Sequence, residues 1–309
     1  MARRAGVSQS TVSLVLSGKG RGRVSTATEA TVREAAEALG YRPNEAARAL
    51  RTGAARTVGL AVPDITHPFF GAVMRGAAAA AREAGLAVVL VDVTYDPELE
   101  IASVEALRAG AVDGMLFFTV DPPPEPGLPS VAIEVEPEGM PSVRFDVEAG
   151  VDAALEHLRG LGHSRIGHLT SAIPAQTFHR RAARWDAGDA RAASDFDFEA
   201  AARAAGALLD GPRPTALICD DDILAGGAYL AARERGLAIP GDVSVVGFDD
   251  LPFARVLAPP LTTVRIDGPA LGAAAFATLA ALIAGEPHDE RTILPVDLVL
   301  RESTGPPPE

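Results

Sequence analysis

Val58-Gly59-Leu60-Ala61-Val62 is a short apolar run, and the alternation it begins decides the fold. An alanine-rich helical stretch fills residues 69–84, a second apolar run 88–93, another helical stretch 98–109 and a third apolar run 115–120. Short apolar strands alternating with helices give parallel strands joined by helical crossovers. The alternation restarts at Arg165-Ile166-Gly167-His168-Leu169 and continues through Ala216-Leu217-Ile218-Cys219 and Val243-Ser244-Val245-Val246-Gly247-Phe248. The expected fold class is α/β, with two halves of doubly wound parallel sheet following one another over residues 57–309. Ligands of such sheets bind beyond the carboxyl ends of the strands. That singles out the loops at 63–70, 145–148, 171–181, 220–222 and 249–251, which are rich in Asp, Arg and Phe.

The remaining composition narrows the function. At roughly 100–200 residues per domain, a chain of 309 residues has material for more than one core. The single cysteine, Cys219, excludes a disulfide scaffold and fits a reducing cytoplasm. No apolar run is long enough to span a membrane, and the polar stretch 8–13 interrupts what a signal peptide would need after the basic Met1-Ala2-Arg3-Arg4. A cytoplasmic protein is expected.

The net charge of −13 speaks against nucleic acid, whose phosphates need a basic surface. Its distribution reverses that reading. Residues 1–56 hold ten Arg or Lys against four acids, +6, so residues 57–309 carry −19. A small basic head on an acidic body is the charge pattern of a nucleic-acid reader joined to something else.

In that head, Gly6 breaks the chain and Ser8 is placed to cap a helix whose Val12, Val15 and Leu16 face inward. Gln9, Ser10 and Ser13 are then free to point outward, as in a helix-turn-helix recognition helix. Ser25 or Thr26 can cap a third helix, Thr26 and Glu29 having capping-box spacing, with Val32, Ala35, Ala36 and Leu39 as its apolar stripe and Gly40 as its stop. Lys19, Arg21 and Arg23 lie in the connecting loop, suited to phosphates rather than bases. Residues 43–51 favour helix but are too few to hold one alone in water.

Ala5-Gly6-Val7-Ser8 with Thr11-Val12-Ser13, Val24-Ser25, and Gly40-Tyr41-Arg42-Pro43-Asn44 with Ala47-Arg48 and Leu50-Arg51 resemble the headpiece and hinge of the lactose/galactose repressor family of bacterial transcription regulators. The resemblance implies a headpiece over 1–42, a hinge helix and linker over 43–56 and a two-lobed effector-binding and dimerisation domain over 57–309. It implies that Gln9 and Ser10 read bases, that Thr11 and Ser13 lie nearer phosphate, and that Asn44, Ala47, Arg48 and Leu50 belong to a hinge in which Leu50 wedges into the minor groove. Relatives begin their first helix several residues before Ala2, so a first helix longer than residues 1–5 is implied upstream.

The body carries the resemblance as well. Pro63-Asp64-Ile65-Thr66-His67-Pro68-Phe69-Phe70, Val112-Asp113-Gly114, Leu161-Gly162-His163, the run from Asp242 through Asp250, and Pro260-Leu261-Thr262-Thr263-Val264 match its blocks in order. The fold implied is that of periplasmic sugar-binding proteins. The effector-cleft residues implied are Phe69, Phe70, Asp146, Arg181, Asp221 and Asp249, with aromatic faces for the apolar side of a sugar or base and charged groups for its polar side. Phe69 and Phe70 could equally be core, and Asp221 and Asp222 helix caps. Two departures stand out: relatives have asparagine where this chain has Asp221, and the helix they place after the arginine is cut down. Arg180 and Arg184 compete with Arg181 for the cleft.

Other chemistry finds no anchor. His163 and His168 lack metal-ligand spacing relative to Asp220, Asp221 and Asp222, 18–22 lacks the features of a phosphate loop, and no nucleophile elbow is present. Neither enzyme, cofactor nor metal is expected. The resulting expectation is an effector-controlled, dimeric regulator of a DNA operator, its effector a sugar or related metabolite. Without leucine heptads at the C-terminus, a coiled-coil tetramer is not expected. The alternative is a solute-binding protein for sugar uptake, which calls for a signal peptide and no basic head.

Overall fold

The computed structural model describes residues 1–16, 20, 22–41, 55–108, 112–120, 127–186 and 188–308. Lys19, Arg21, Asn44, Ala47, Arg48 and Leu50 lie outside the described residues. The chain divides into two compact units, Met1–Ala55 and Arg56–Glu309.

The first unit is helical: α1 (Ala2–Ala5), α2 (Gln9–Leu16) and α3 (Thr26–Ala38). Gly6, at φ 65°, makes the left-handed turn after α1. Ser8 Oγ accepts from Thr11 N–H at 3.1 Å, closing the first turn of α2. Ala5, Val15, Val32 and Ala35 form the core, with Val7, Val12, Leu16 and Val24 packed around it. One of the two expected caps is realised, without the Thr26–Glu29 capping box, and the end of α3 differs from the sequence expectation. Ser25, not Thr26, caps α3, its Oγ accepting from Thr28 N–H at 3.2 Å, while Glu29 pairs with Arg33 at 2.7 Å. Leu39 leaves the apolar stripe and is 49% exposed, because the chain turns at Gly40 (φ 59°) and the Tyr41 N–H closes back onto the Ala36 carbonyl.

The second unit starts at Arg56, whose N–H donates to Asp113 Oδ2 at 2.6 Å and whose guanidinium donates to the Gly85 carbonyl. One lobe holds the sheet β11-β5-β4-β3-β1-β2, built from β1 (Thr57–Val62), β2 (Ala87–Asp92), β3 (Gly114–Phe117), β4 (Ser130–Ile133), β5 (Ser142–Phe145) and β11 (Arg291–Leu294), every pairing parallel. The other holds β12-β10-β9-β8-β6-β7, from β6 (Ile166–Ser171), β7 (Arg191–Ser194), β8 (Ala216–Cys219), β9 (Ser244–Asp249), β10 (Thr262–Arg265) and β12 (Asp297–Val299), with β12 antiparallel. The helices are α4 (Pro68–Glu83), α5 (Pro97–Arg108), α6 (Val147–Gly160), α7 (Gln176–Ala182), α8 (Phe198–Asp210), α9 (Asp222–Glu234) and α10 (Gly268–Ala284). The central strands β3, β4, β8 and β9 are buried throughout, as expected where helices cover both faces of a sheet.

The expectation that the halves simply succeed one another needs correction. The chain changes lobes three times: after β5, after β10, and between β11 and β12. The cause is sheet completion, since β11 pairs with β5 although their residues lie far apart in sequence. The returning α10 lies directly on α4. A Cβ on Gly272 would sit 2.0 Å from the Val73 carbonyl oxygen, and one on Gly76 1.9 Å from that of Pro269, so both glycines are fixed by backbone contact. No described helix is long and apolar enough to cross a membrane.

Candidate functional site: a cleft between two lobes and a polar helix face

Strands β1, β3, β8 and β9 carry their chains to the same place, and the loops beyond their carboxyl ends enclose a cleft of about 580 Å³ counted to its open mouth. Phe69, Phe70, Phe118, Phe178 and Phe196 line it with Pro63, Tyr95, Ile173 and Ile266. Its polar groups are His67, Thr119, Glu134, Thr177, Arg181, Asp220, Asp221 and Asp249. Phe69 and Phe70 hold Phe118 between them, with centroids 5.9 and 4.9 Å away in edge-to-face contact. Both are thus core and cleft wall at once, which removes the choice left open by their sequence.

Of the three arginines, Arg181 is the one among the cleft lining. Arg184 forms a bidentate pair with Asp152 at 2.7 Å, away from the cleft lining, and Arg180 reaches Glu136 at 3.6 Å and Gln176 at 3.1 Å. Arg181 is 4% exposed, lies 3.6 Å over the Phe248 ring and donates to the Asp220 carbonyl. Its Nε has no acceptor among the described residues. The arginine lies within α7, near its end, and a turn at 183–186 follows it.

Three consecutive aspartates divide their work. Asp220 accepts from His168 at 2.9 Å, Thr170 at 2.6 Å and Ser171 N–H at 3.1 Å. Burial works to raise its pKa, but the charge and hydrogen bond of His168, with Arg181 and Thr170, prevail and lower it. Asp222 is turned away from the cleft, accepting from Leu251 N–H and Thr263 Oγ1, each at 2.7 Å, and burial drives its pKa well up. Asp221 both caps α9, by accepting from Ile223 N–H at 2.6 Å, and receives His67 Nε2 at 3.0 Å from the other lobe. Asp221 therefore caps the helix and lines the cleft at once.

His67 was not singled out in the sequence. It caps α4, with Nδ1 accepting from Phe69 N–H at 3.3 Å, an arrangement that leaves the ring proton on Nε2 to donate to Asp221. Burial alone would depress its pKa; the hydrogen bond and charge of Asp221, with Asp64 adding, raise it instead. Glu134 was also missed. It sits at φ 64°, accepts from Phe145 N–H at 2.7 Å, and has its pKa raised chiefly by burial. The one legible signal for His67 was its position in the loop between β1 and α4.

Asp249 ends β9 at φ 107°, a backbone state that costs energy for any side-chain-bearing residue and clusters at functional sites. Burial, then the charge and hydrogen bond of Asp221, push its pKa well above the usual carboxylate range. A raised folded-state pKa gives stability that is present below the unfolded value and lost as pH rises through the folded one. Asp249→Asn cannot ionise. Urea unfolding should therefore show this variant gaining stability over the parent as pH rises from about 4 to about 8.

Asp146 is a correction. It is not among the residues lining the cleft; its carboxylate caps α6, accepting from Ala149 N–H at 3.1 Å, where the chain first changes lobes. His163, considered for metal, is tied to Thr215 at 2.9 Å and to the Gly305 carbonyl at 2.8 Å. Among the described residues, ligand atoms of His67, Asp221 and Asp249 lie within 4.8 Å of one another.

In the head, Gln9, Ser10 and Ser13 are exposed on α2, and Arg23 is exposed in the loop. Thr11 is half-buried, its hydroxyl 2.8 Å from that of Ser8.

A helix-turn-helix head and a two-lobed ligand cleft on one chain define an effector-controlled, DNA-binding transcription regulator. Residues 1–44 match the family described as bacterial regulatory proteins, lacI family, and residues 155–304 match the periplasmic binding protein-like domain. The chain is 33% identical to the transcriptional regulator DegA of Bacillus subtilis, over 99% of this chain and 97% of that protein. It is 33% identical to the ribose operon repressor of Halalkalibacterium halodurans, over 98% and 96% respectively. In structure it is similar to the lac repressor dimer bound to operator and an anti-inducer, with a TM-score of 0.89, 27% identity and coverage of 98% and 97%. The transcriptional regulator CelR in complex with cellobiose gives a TM-score of 0.74 at 28% identity, covering 98% of each chain. The chain belongs to the lacI family of bacterial transcription regulators.

Proposed function

We propose that this regulator is a cytoplasmic repressor that binds a nearly palindromic operator as a homodimer and changes its operator affinity when a sugar or related metabolite enters the cleft. The observation that carries the reading is the pairing, on one chain, of an exposed polar first turn in α2 with a cleft lined by Arg181 from α7, Asp221 at the cap of α9 and Asp249 at the end of β9. The relatives support it: one is a ribose operon repressor, and similar structures hold operator or cellobiose.

In this reading Gln9 and Ser10 meet base edges, Thr11, Ser13, Lys19, Arg21 and Arg23 hold phosphates, and Asn44, Ala47, Arg48 and Leu50 act in the minor groove. Phe69, Phe70, Arg181, Asp221 and Asp249 hold the effector. Asp146, at a lobe crossing, serves as a hinge cap that couples the lobes rather than as a contact. The chemistry is binding, not turnover. A solute carrier has no use for a head that matches a DNA-binding family over residues 1–44.

The test is the salt dependence of DNA binding, on a palindrome selected from random sequence by the full-length protein. Log affinity should fall linearly with log salt, with a slope of about −5 or steeper, since each neutralised phosphate contributes about −0.9. A flat dependence, or no selection of any sequence, would defeat the reading.

A further inference from the structure

Two buried carboxyls, Asp221 and Asp249, face each other on the cleft wall, and neither forms a salt bridge with an arginine or lysine among the described residues. Asp220 and Asp222, on either side of Asp221, are occupied by protein donors. Asp249 is 9% exposed and has Asp221 as its neighbour. The side-chain nitrogen hydrogen-bonded to this pair is His67 Nε2, 3.0 Å from Asp221, its ring walled by Phe70 and Phe196 at 5.6 and 5.3 Å, while the Arg181 guanidinium acts on Asp249 through its charge. The cleft that holds these carboxyls is also lined by Phe69, Phe70, Phe178 and Phe196, and carboxylates together with aromatic faces are the groups that recognise an organic cation.

A second observation concerns the rest of the ligand. Arg181, also lining the cleft and 4% exposed, keeps its Nε–H without an acceptor among the described residues. A buried donor left unpaired is costly, so the bound molecule must bring an oxygen there.

We infer that the effector is an amino sugar or a similarly hydroxylated ring amine, its protonated nitrogen seated between Asp221 and Asp249 and one of its oxygens accepting from Arg181. This inference rests on the effector reading above and narrows it from sugars in general to aminated ones. Burial and the neighbouring Asp221 push the Asp249 carboxyl toward its protonated form, so an incoming ammonium competes with the proton of Asp249, which leaves to solvent. No bond to carbon is made or broken. The charged and titratable groups that act on the pair are His67, Asp64 and Tyr95 from one lobe, Arg181 from α7, and Asp222 by its charge from behind the cleft wall; Asp220 also lines the cleft. Glu134 faces Arg181 from across the cleft.

The experiment uses the full-length protein and the fluorescence of Trp185, the single tryptophan, which stacks on His168 at 4.7 Å. His168 in turn holds Asp220, next to Asp221, so the indole is linked to the site. Glucosamine, galactosamine and mannosamine are titrated beside glucose, galactose and mannose, with thermal unfolding midpoints as a second readout. At least one amine should bind about tenfold or more tighter than its neutral parent, the gap widening as pH rises while the amine stays protonated. Asp221→Asn and Asp249→Asn should bring each pair level, and asparagine preserves the α9 cap, so folding is retained. Neutral sugars binding as tightly as their amines would overturn the inference and leave the effector reading standing. A response to zinc or magnesium alone, abolished by a chelator, would overturn it in favour of a metal. Silence from every member of the panel would count against both readings.

Discussion

Deleting residues 1–55 should abolish operator binding, lowering affinity by at least about 10³-fold, the typical gap between specific and non-specific binding, while the remainder stays folded and keeps its ligand. The head's polar helix face goes with the deletion. The remainder carries most of the acidic residues, and its charge repels the phosphates that the head attracts. The body has its own cores in both lobes and does not draw on the head's cluster of Ala5, Val15, Val32 and Ala35. The position of the cut matters. Arg56 fastens β1 through Asp113 and the Gly85 carbonyl, so the deletion must stop before it. Gel shift and circular dichroism on the same preparation check both halves of the expectation.

Arg181→Ala should reduce effector response by about 30-fold or more, corresponding to about 2–5 kcal/mol for truncating one partner of a buried charged contact. The loss has three parts: the donor for the ligand, the hydrogen bond to the Asp220 carbonyl, and the guanidinium packed on Phe248. Arg184→Ala is the control. Its partner Asp152 is 48% exposed and Arg184 itself 43%, so the pair is worth at most about 1 kcal/mol and effector binding should be unchanged. The effector-induced change in DNA binding, followed by fluorescence anisotropy, gives the midpoint for each variant. If Arg184→Ala loses the response and Arg181→Ala keeps it, the assignment of the cleft arginine is wrong.

The strands and helices of the body were legible because their signals are local. Val58 to Val62, Ala216 to Cys219 and the run ending at Phe248 are apolar on both faces, as buried parallel strands must be. The lobe crossings were not legible, since the pairing of Arg291–Leu294 with Ser142–Phe145 leaves no mark in either segment alone. Nor was the division of labour among Asp220, Asp221 and Asp222. Three identical side chains in a row differ only in where the turn between β8 and α9 points them: toward His168, toward His67, and toward Leu251 and Thr263. Asp146 shows the limit from the other side. An acid in the right loop, it spends its carboxylate on the α6 N-terminus. His67 was hidden for a related reason, because its role needs a partner from the opposite lobe.

Coupling between cleft and DNA is what makes the two units one regulator. It is measured as the affinity of the full-length protein for its selected operator, by anisotropy of labelled DNA, with and without a ligand whose occupancy of the cleft has been shown by Trp185 fluorescence. Ligand should change operator affinity by about 5- to 150-fold, the effect of a coupling energy of about 1–3 kcal/mol. Equal affinities with the cleft empty and full would contradict effector control.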